Sequence, residues 1–411
     1  MGRPILVRGA RQLLTLRGPI GPRRGKDLRN LGMVPDGSVL IADGVIQEVG
    51  PTRRVENLAA ARDAVEISAA GRVVMPGFVD SYTHLVSGAP RLAEFEAMIS
   101  GEHTDLRAGA TNEIESTPAK TLERQAARII EDCVREGTTT IEAKSGFGGS
   151  EAGELKILRV CTALDERPIP VVSTAMVPAA FQGGAPRQYL ERLLKLIRRR
   201  HLAEFIEVEW EDNVRSYEEC RELLCAARRA GLGVKVQGEQ RSRGRAVELA
   251  IETGATSIGH LLHANDMQAA MLGRSAVVAT LLPGTVFFLG SERYEPAKRL
   301  IEAGAAVALA TNYNSRTCPT HNMQMVVTLA CRAMQMTPAE AIAAATINGA
   351  HALGRGDRTG SIEYGKDADL LVLSAPDYRE LPYHFGVNLV EMTMRRGEII
   401  YSRAEVTWPD R

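Results

Sequence analysis

From residue 76 to about 312, short apolar runs alternate with longer stretches whose apolar positions recur every three or four residues. The runs cover 78–80, 139–144, 170–174, 205–210, 233–237, 256–260, 277–282 and 305–311, which makes eight. The intervening stretches read as helices. Thr117-Pro118 supplies an N-cap with proline behind it, Leu122, Ala126, Ile130 and Val134 share one face, and Gly137 ends the turn. Segments 187–200, 216–230 and 243–253 repeat the theme, and 319–335 and 338–353 add a closing pair. Eight strands alternating with helices predict an α/β fold, a (β/α)8 TIM-type barrel, whose chemistry gathers where strands end. The polar residues at those ends are Tyr82, His84, Lys144, Glu211, Gln237, His260 and Asn312.

The flanks follow a different period. Val39-Leu40-Ile41 and Val45-Ile46 straddle Asp43-Gly44, a hairpin signal, and 72–75 forms another β run. Residues 360–363, 370–373 and 397–400 look like strands of the same unit. The expected organisation is a small composite β-sandwich domain built from 1–75 plus 360–411, around a barrel spanning 76–359.

Charge narrows the partners. Lys+Arg and Asp+Glu both count 50, leaving no net charge to favour nucleic acid or an anionic membrane. No apolar run approaches a membrane span, and the Arg-rich opening lacks the apolar core of a signal peptide. The six cysteines form no CxxC pair and read as reduced thiols of a cytoplasmic protein.

Candidate chemistry starts at Met75-Pro76-Gly77-Phe78-Val79-Asp80-Ser81-Tyr82-Thr83-His84. Positions 82 and 84 lie two apart at a strand tip, so their side chains project the same way. Two histidines there would make half a metal site, but only His84 is one. Further blocks follow in order: Arg91 with Glu94-Phe95, Glu142-Ala143-Lys144-Ser145-Gly146-Phe147-Gly148, Leu281-Leu282-Pro283-Gly284, Ala308 to Asn314, Thr346-Ile347-Asn348, and the run from Gly360 to Leu370. Together they resemble the imidazolonepropionases of the amidohydrolase superfamily, along most of the chain.

The resemblance implies ring opening of an imidazolone by metal-activated water, with Zn or Fe held by two His after the first strand, one after the fifth and an Asp after the eighth. Here Tyr82 stands at the first position, His84 keeps the second, Gln237 replaces the third and Asn312 the fourth. Neutral amides keep shape and hydrogen bonding but are poor zinc ligands, and a phenol ligates only as phenolate. Asn312 also lacks the carboxylate that accepts the water's proton. The family's Gly-Ala-His-Ala segment is replaced by Ser173-Thr174-Ala175-Met176, leading into Val177-Pro178, and Phe147 replaces a Tyr. By contrast Arg91, His260 and Asn314 remain; the resemblance implies substrate contacts at these positions and at Phe147, with Arg91 as a carboxylate clamp, and catalytic positions at His260 and Asn312.

Two readings stand side by side. One is an inactive or impaired homologue with no cofactor, keeping a pocket for a small imidazole-derived or carboxylate ligand. The other is a working hydrolase of a cyclic amide with a rebuilt Zn or Fe site, for which His84, Glu239 and His260 are the available donors. Lys144 reads as a structural or substrate-facing lysine, and its carboxylation into a metal ligand is less favoured. The resemblance further implies a homodimer.

Overall fold

The computed structural model describes residues 3–101, 111–177, 186–211 and 216–403. Its barrel strands are β1 (Phe78–Asp80), β2 (Thr138–Lys144), β3 (Val171–Val177), β4 (Phe205–Glu209), β5 (Gly233–Gly238), β6 (Ser257–His260), β7 (Val278–Leu281) and β8 (Ala306–Leu309). They pair in sequence order, all parallel. The seam between β1 and β8 closes just beyond the strands. Asn312 N donates to Tyr82 O at 2.9 Å and His84 N to Tyr313 O at 2.8 Å. Below them the Asp80 carboxylate accepts from Thr311 N (3.0 Å) and Thr311 Oγ1 (2.6 Å). The expected (β/α)8 barrel is the observed fold.

Alternation along the strands sorts the chemistry. On β2, Ile141 and Ala143 face outward against Ile130 and Cys133 of the helix Ala119–Arg135, while Glu142 and Lys144 face the axis. On β4 and β5, Ile206, Val208, Val234 and Val236 join the outer core, and Glu207 and Lys235 turn inward. Period two thus covers the barrel in aliphatic side chains and places charge inside it.

Both chain ends build the second sheet. Ile5–Leu14, Met33–Ala42, Val45–Pro51 and Val73–Pro76 come from the N-terminal part, and Leu370–Leu373, Val390–Arg395 and Glu398–Ser402 from the C-terminal part. Val65–Ser68 pairs alongside the first strand. The ends meet where Leu371 lies opposite Met75. Val73–Pro76 then passes through Gly77 into β1. A Cβ at Gly77 would stand 2.1 Å from Thr139 Oγ1, so the crossing requires glycine.

Three expectations need correcting. Residues 360–363 are not a strand: Gly360 takes a left-handed φ of +86°, and Ile362 N donates to Thr15 O within a turn-rich segment. The helix expected from Thr117-Pro118 begins at Ala119, with Pro118 at the cap position. The expected 338–353 helix is two helices, Pro338–Ala345 and Ile347–Ala352, broken at Thr346. After the break Asn348 points inward, accepting from Arg23 N and donating to Arg23 O and Val307 O. The strands Ile5–Leu14 and Val390–Arg395 carried no turn signal strong enough to be read in advance.

Candidate functional site

At the C-terminal mouth of the barrel lies a cavity of about 180 Å³, lined by side chains that include His84, Phe147, Gln237, His260, Asn312, Asn314 and Arg316. Pockets for drug-sized ligands run to ~300–1,000 Å³, so this one suits a molecule of a single ring. His260 (φ +76°) and Asn312 (φ +55°) both hold left-handed backbone at the rim. Asn tolerates that conformation, whereas His adopts it less readily, and such strain clusters at binding sites.

The four positions singled out from the sequence do come together. Tyr82 Oη donates to Gln237 Oε1 at 2.6 Å, and Gln237 Nε2 donates to Gln240 Oε1 at 3.3 Å. Asn312 Nδ2 donates to Thr285 Oγ1 at 2.8 Å. His84 Nδ1 lies 2.9 Å from the carbonyl oxygen of Ser145, which can only accept. The imidazole proton therefore sits on Nδ1, and Nε2 keeps its lone pair. Burial, and then the nearby Lys144 ammonium, push the His84 pKa down to about 3, so the ring is neutral at physiological pH. Burial, with Glu207 and Glu142 behind it, holds the Tyr82 hydroxyl well above its ordinary pKa, and the phenol keeps its proton.

Beneath Tyr82 lies a charged layer sealed from water. Lys144 Nζ is 2.8 Å from Glu207 Oε2 and 3.2 Å from Glu142 Oε2, and Lys235 Nζ is 2.6 Å from Glu142 Oε1. All four side chains are at most 1 % exposed, so neither cation can be balanced by solvent. Burial raises the Glu142 pKa, but Lys144 and Lys235 outweigh it and bring the group below its usual value. Glu207 goes the other way, raised by burial that Lys144 offsets only in part. The Lys144 ammonium also sits 3.8 Å from the centroid of the Tyr82 ring. Tyr82 is thus a lid between cavity and charges, and Lys144 belongs to the sealed layer. Gly259 on β6 makes room for it: a Cβ there would lie 2.4 Å from Tyr82 Cε2.

The remaining predicted residues fall in different places. Phe147 packs against His84 with ring centroids 4.8 Å apart. Asn314 Oδ1 accepts from the backbone N of Arg316 and Thr317, shaping the loop after β8. Arg91 occupies the N-cap position of the helix Leu92–Ile99 and pairs with Glu94, Nε to Oε1 at 2.7 Å. Glu239 accepts from Gly244 N, Ala246 N and Gln268 Nε2, so its carboxylate holds the loop after β5. Glu211 does the same for Gln240 N and Arg241 N. Among the described residues, no three His, Cys, Asp or Glu side chains stand close enough to share a metal ion. His103 and Pro178 lie outside the described residues. The reading of the sequence missed Glu207, Lys235, Gln240 and Arg316. A charge inside an apolar run was the available signal for the first two.

Parallel strands in sequence order, with polar side chains converging at their C-terminal ends, define the class. The chain belongs to the amidohydrolase family, whose model matches residues 73–400. Within that family it groups with the imidazolonepropionases. It is 40% identical to the imidazolonepropionase of Parabacteroides distasonis over 96% of this chain and 98% of that one. To the Alkaliphilus metalliredigens imidazolonepropionase it is 35% identical, over 98% and 99%. Among solved structures, a triazine hydrolase variant superposes with a TM-score of 0.77 at 17% identity, covering 98% of this chain and 95% of that one. A zinc-bound adenosine deaminase from Xanthomonas campestris gives 0.70 at 18%, covering 99% and 94%. At those identities the likeness speaks for the fold.

Proposed function

We propose that this chain is an imidazolonepropionase homologue that no longer holds the family's metal, is catalytically silent or strongly impaired, and keeps a pocket for a small imidazole-derived or carboxylate ligand. One observation carries the reading: the Tyr82 hydroxyl and the Gln237 amide, at two ligand positions, are spent on each other at 2.6 Å. The donors present do not fit zinc or iron. His84 offers one imidazole nitrogen, Asn312 and Gln237 offer neutral amides, and Tyr82 offers a protonated phenol. Attack on a ring amide at neutral pH depends on lowering the pKa of water from about 15.7 to about 7, which is the metal's part in the family, and among the described residues no three His, Cys, Asp or Glu side chains stand together to hold one.

A second reading is favoured by the 40% identity to a protein named imidazolonepropionase: a working hydrolase of a cyclic amide carbon–nitrogen bond in histidine breakdown. Turnover separates the two. With imidazolone propionate as substrate and added Zn or Fe, the protein should remain at the background rate, and Tyr82→His/Gln237→His/Asn312→Asp should gain metal. Saturable turnover by the unaltered chain would overturn the proposal.

A further inference from the structure

The helix Leu92–Ile99, in the segment after β1, is turned inside out. The side chains of Arg91 and Glu94 are 16 % and 27 % exposed, while Leu92 and Ile99 stand 72 % and 66 % open. No residue of the helix is buried. Leu92, Phe95 and Ile99 are spaced three and four apart and form one stripe, which a surface helix ordinarily turns to the core. Here it faces out. Phe95 carries the stripe onto a second element, stacking on Phe288 of the helix Pro283–Phe288 after β7 with centroids 5.2 Å apart. Phe287 beside it is exposed as well.

Leu92, Phe95, Ile99 and Phe287 together leave roughly 400 Å² of apolar surface open, taking ~200 Å² for a fully open side chain of this size. A patch of that extent on a single chain is often functional. A standard interface buries ~800 Å² per partner, somewhat over half of it non-polar, so the stripe matches the apolar share of one face. Charge narrows the occupant. The helix has no Lys or Arg between 92 and 99, and Glu96 is exposed on its flank, which disfavours an anionic lipid surface. Lys+Arg and Asp+Glu both count 50, so two copies approach without net repulsion. An uncharged stripe is also its own complement, as a two-fold contact requires.

We propose that this stripe is the face on which a second copy of the chain docks, with Leu92, Phe95 and Ile99 of one copy lying against the same residues of the other. The resemblance implies a homodimer and names no surface; the reversed helix supplies one. The stripe belongs to the segments after β1 and β7, so the second copy stands beside the mouth of the barrel, yet none of these side chains lines the cavity. The contact therefore stands or falls apart from the reading of the metal positions.

The test is sedimentation velocity of the full chain, which should run as a dimer at micromolar concentration. Leu92→Glu/Ile99→Glu and Leu92→Lys/Ile99→Lys each set like charges across the contact and should weaken it at least about tenfold. Mixed in equal amounts, the two variants should pair again, since each then meets the opposite charge. Phe385→Glu, in the exposed loop between two strands of the second sheet, should leave the dimer unchanged. Melting at the unaltered temperature shows that the charge variants are folded, and Leu92→Ser/Ile99→Ser repeats the comparison if either is not. A monomer throughout, charge variants that still dimerise, a mixture that does not recover, or a dimer lost in Phe385→Glu would each overturn the assignment. A monomeric chain that binds phosphatidylcholine vesicles through the stripe would overturn it too, and would give the face to lipid.

Discussion

Replacing Lys144 with Met tests whether the sealed layer under Tyr82 works as a balanced charge set. The substitution preserves most of the volume and removes one cation that lies 2.8 Å from Glu207 and 3.2 Å from Glu142. Glu142 keeps Lys235 at 2.6 Å and the Thr174 hydroxyl at 2.5 Å, so its loss is partial. Glu207 keeps no such pair and is 1 % exposed. An orphaned charge of this kind costs about 3–5 kcal/mol, which includes the lost contact with the Tyr82 ring. Lys144→Met/Glu207→Gln removes both charges, and replacing a whole buried pair is often close to neutral, so the double variant should recover most of that loss. Urea unfolding followed by far-UV circular dichroism and fluorescence gives the four corners of the cycle, provided the two probes report coincident transitions. A single-variant loss under about 1 kcal/mol, or a double variant as unstable as the sum of the singles, would refute the reasoning.

Other outcomes follow from the same geometry. Tyr82→Phe removes the donor to Gln237 Oε1 and should cost about 1–3 kcal/mol in the same unfolding assay. Gly259→Ala places a methyl 2.4 Å from a ring pinned at its far end by Gln237, so overpacking of about 1–3 kcal/mol is expected in that assay. Burial raises the Glu295 pKa to about 7, with only the backbone N–H bonds opposing it. The folded chain then binds this proton more tightly than the unfolded one. Its contribution to stability is complete below about pH 4 and is lost as pH rises through about 7. Glu295→Gln should flatten that part of the stability profile, and an unchanged profile would count against the assignment.

The barrel was legible because its strands are short apolar runs at regular spacing, and a parallel sheet covered by helices demands that pattern. The mouth was legible because strand ends are where a barrel exposes polar side chains, and Tyr82, His84, Gln237 and Asn312 do meet there. Distances decided the rest. Glu239 reads as a spare carboxylate in sequence, yet three donors hold it in the loop after β5. Lys144 reads as a rim residue, yet its long side chain runs along the axis to reach Glu207. Arg316 follows the block that ends at Asn314, yet nothing in that block shows that its guanidinium stands against the ring of Phe147. Glu207 and Lys235 were within reach of a stricter alternation argument, since each interrupts an aliphatic run at an inward position.

The central claim concerns the donors at the mouth of the barrel, and elemental analysis of the purified, unaltered chain tests it most directly. The account predicts far less than one equivalent of zinc or iron per chain. One tightly held equivalent that survives dialysis against a chelator would contradict it.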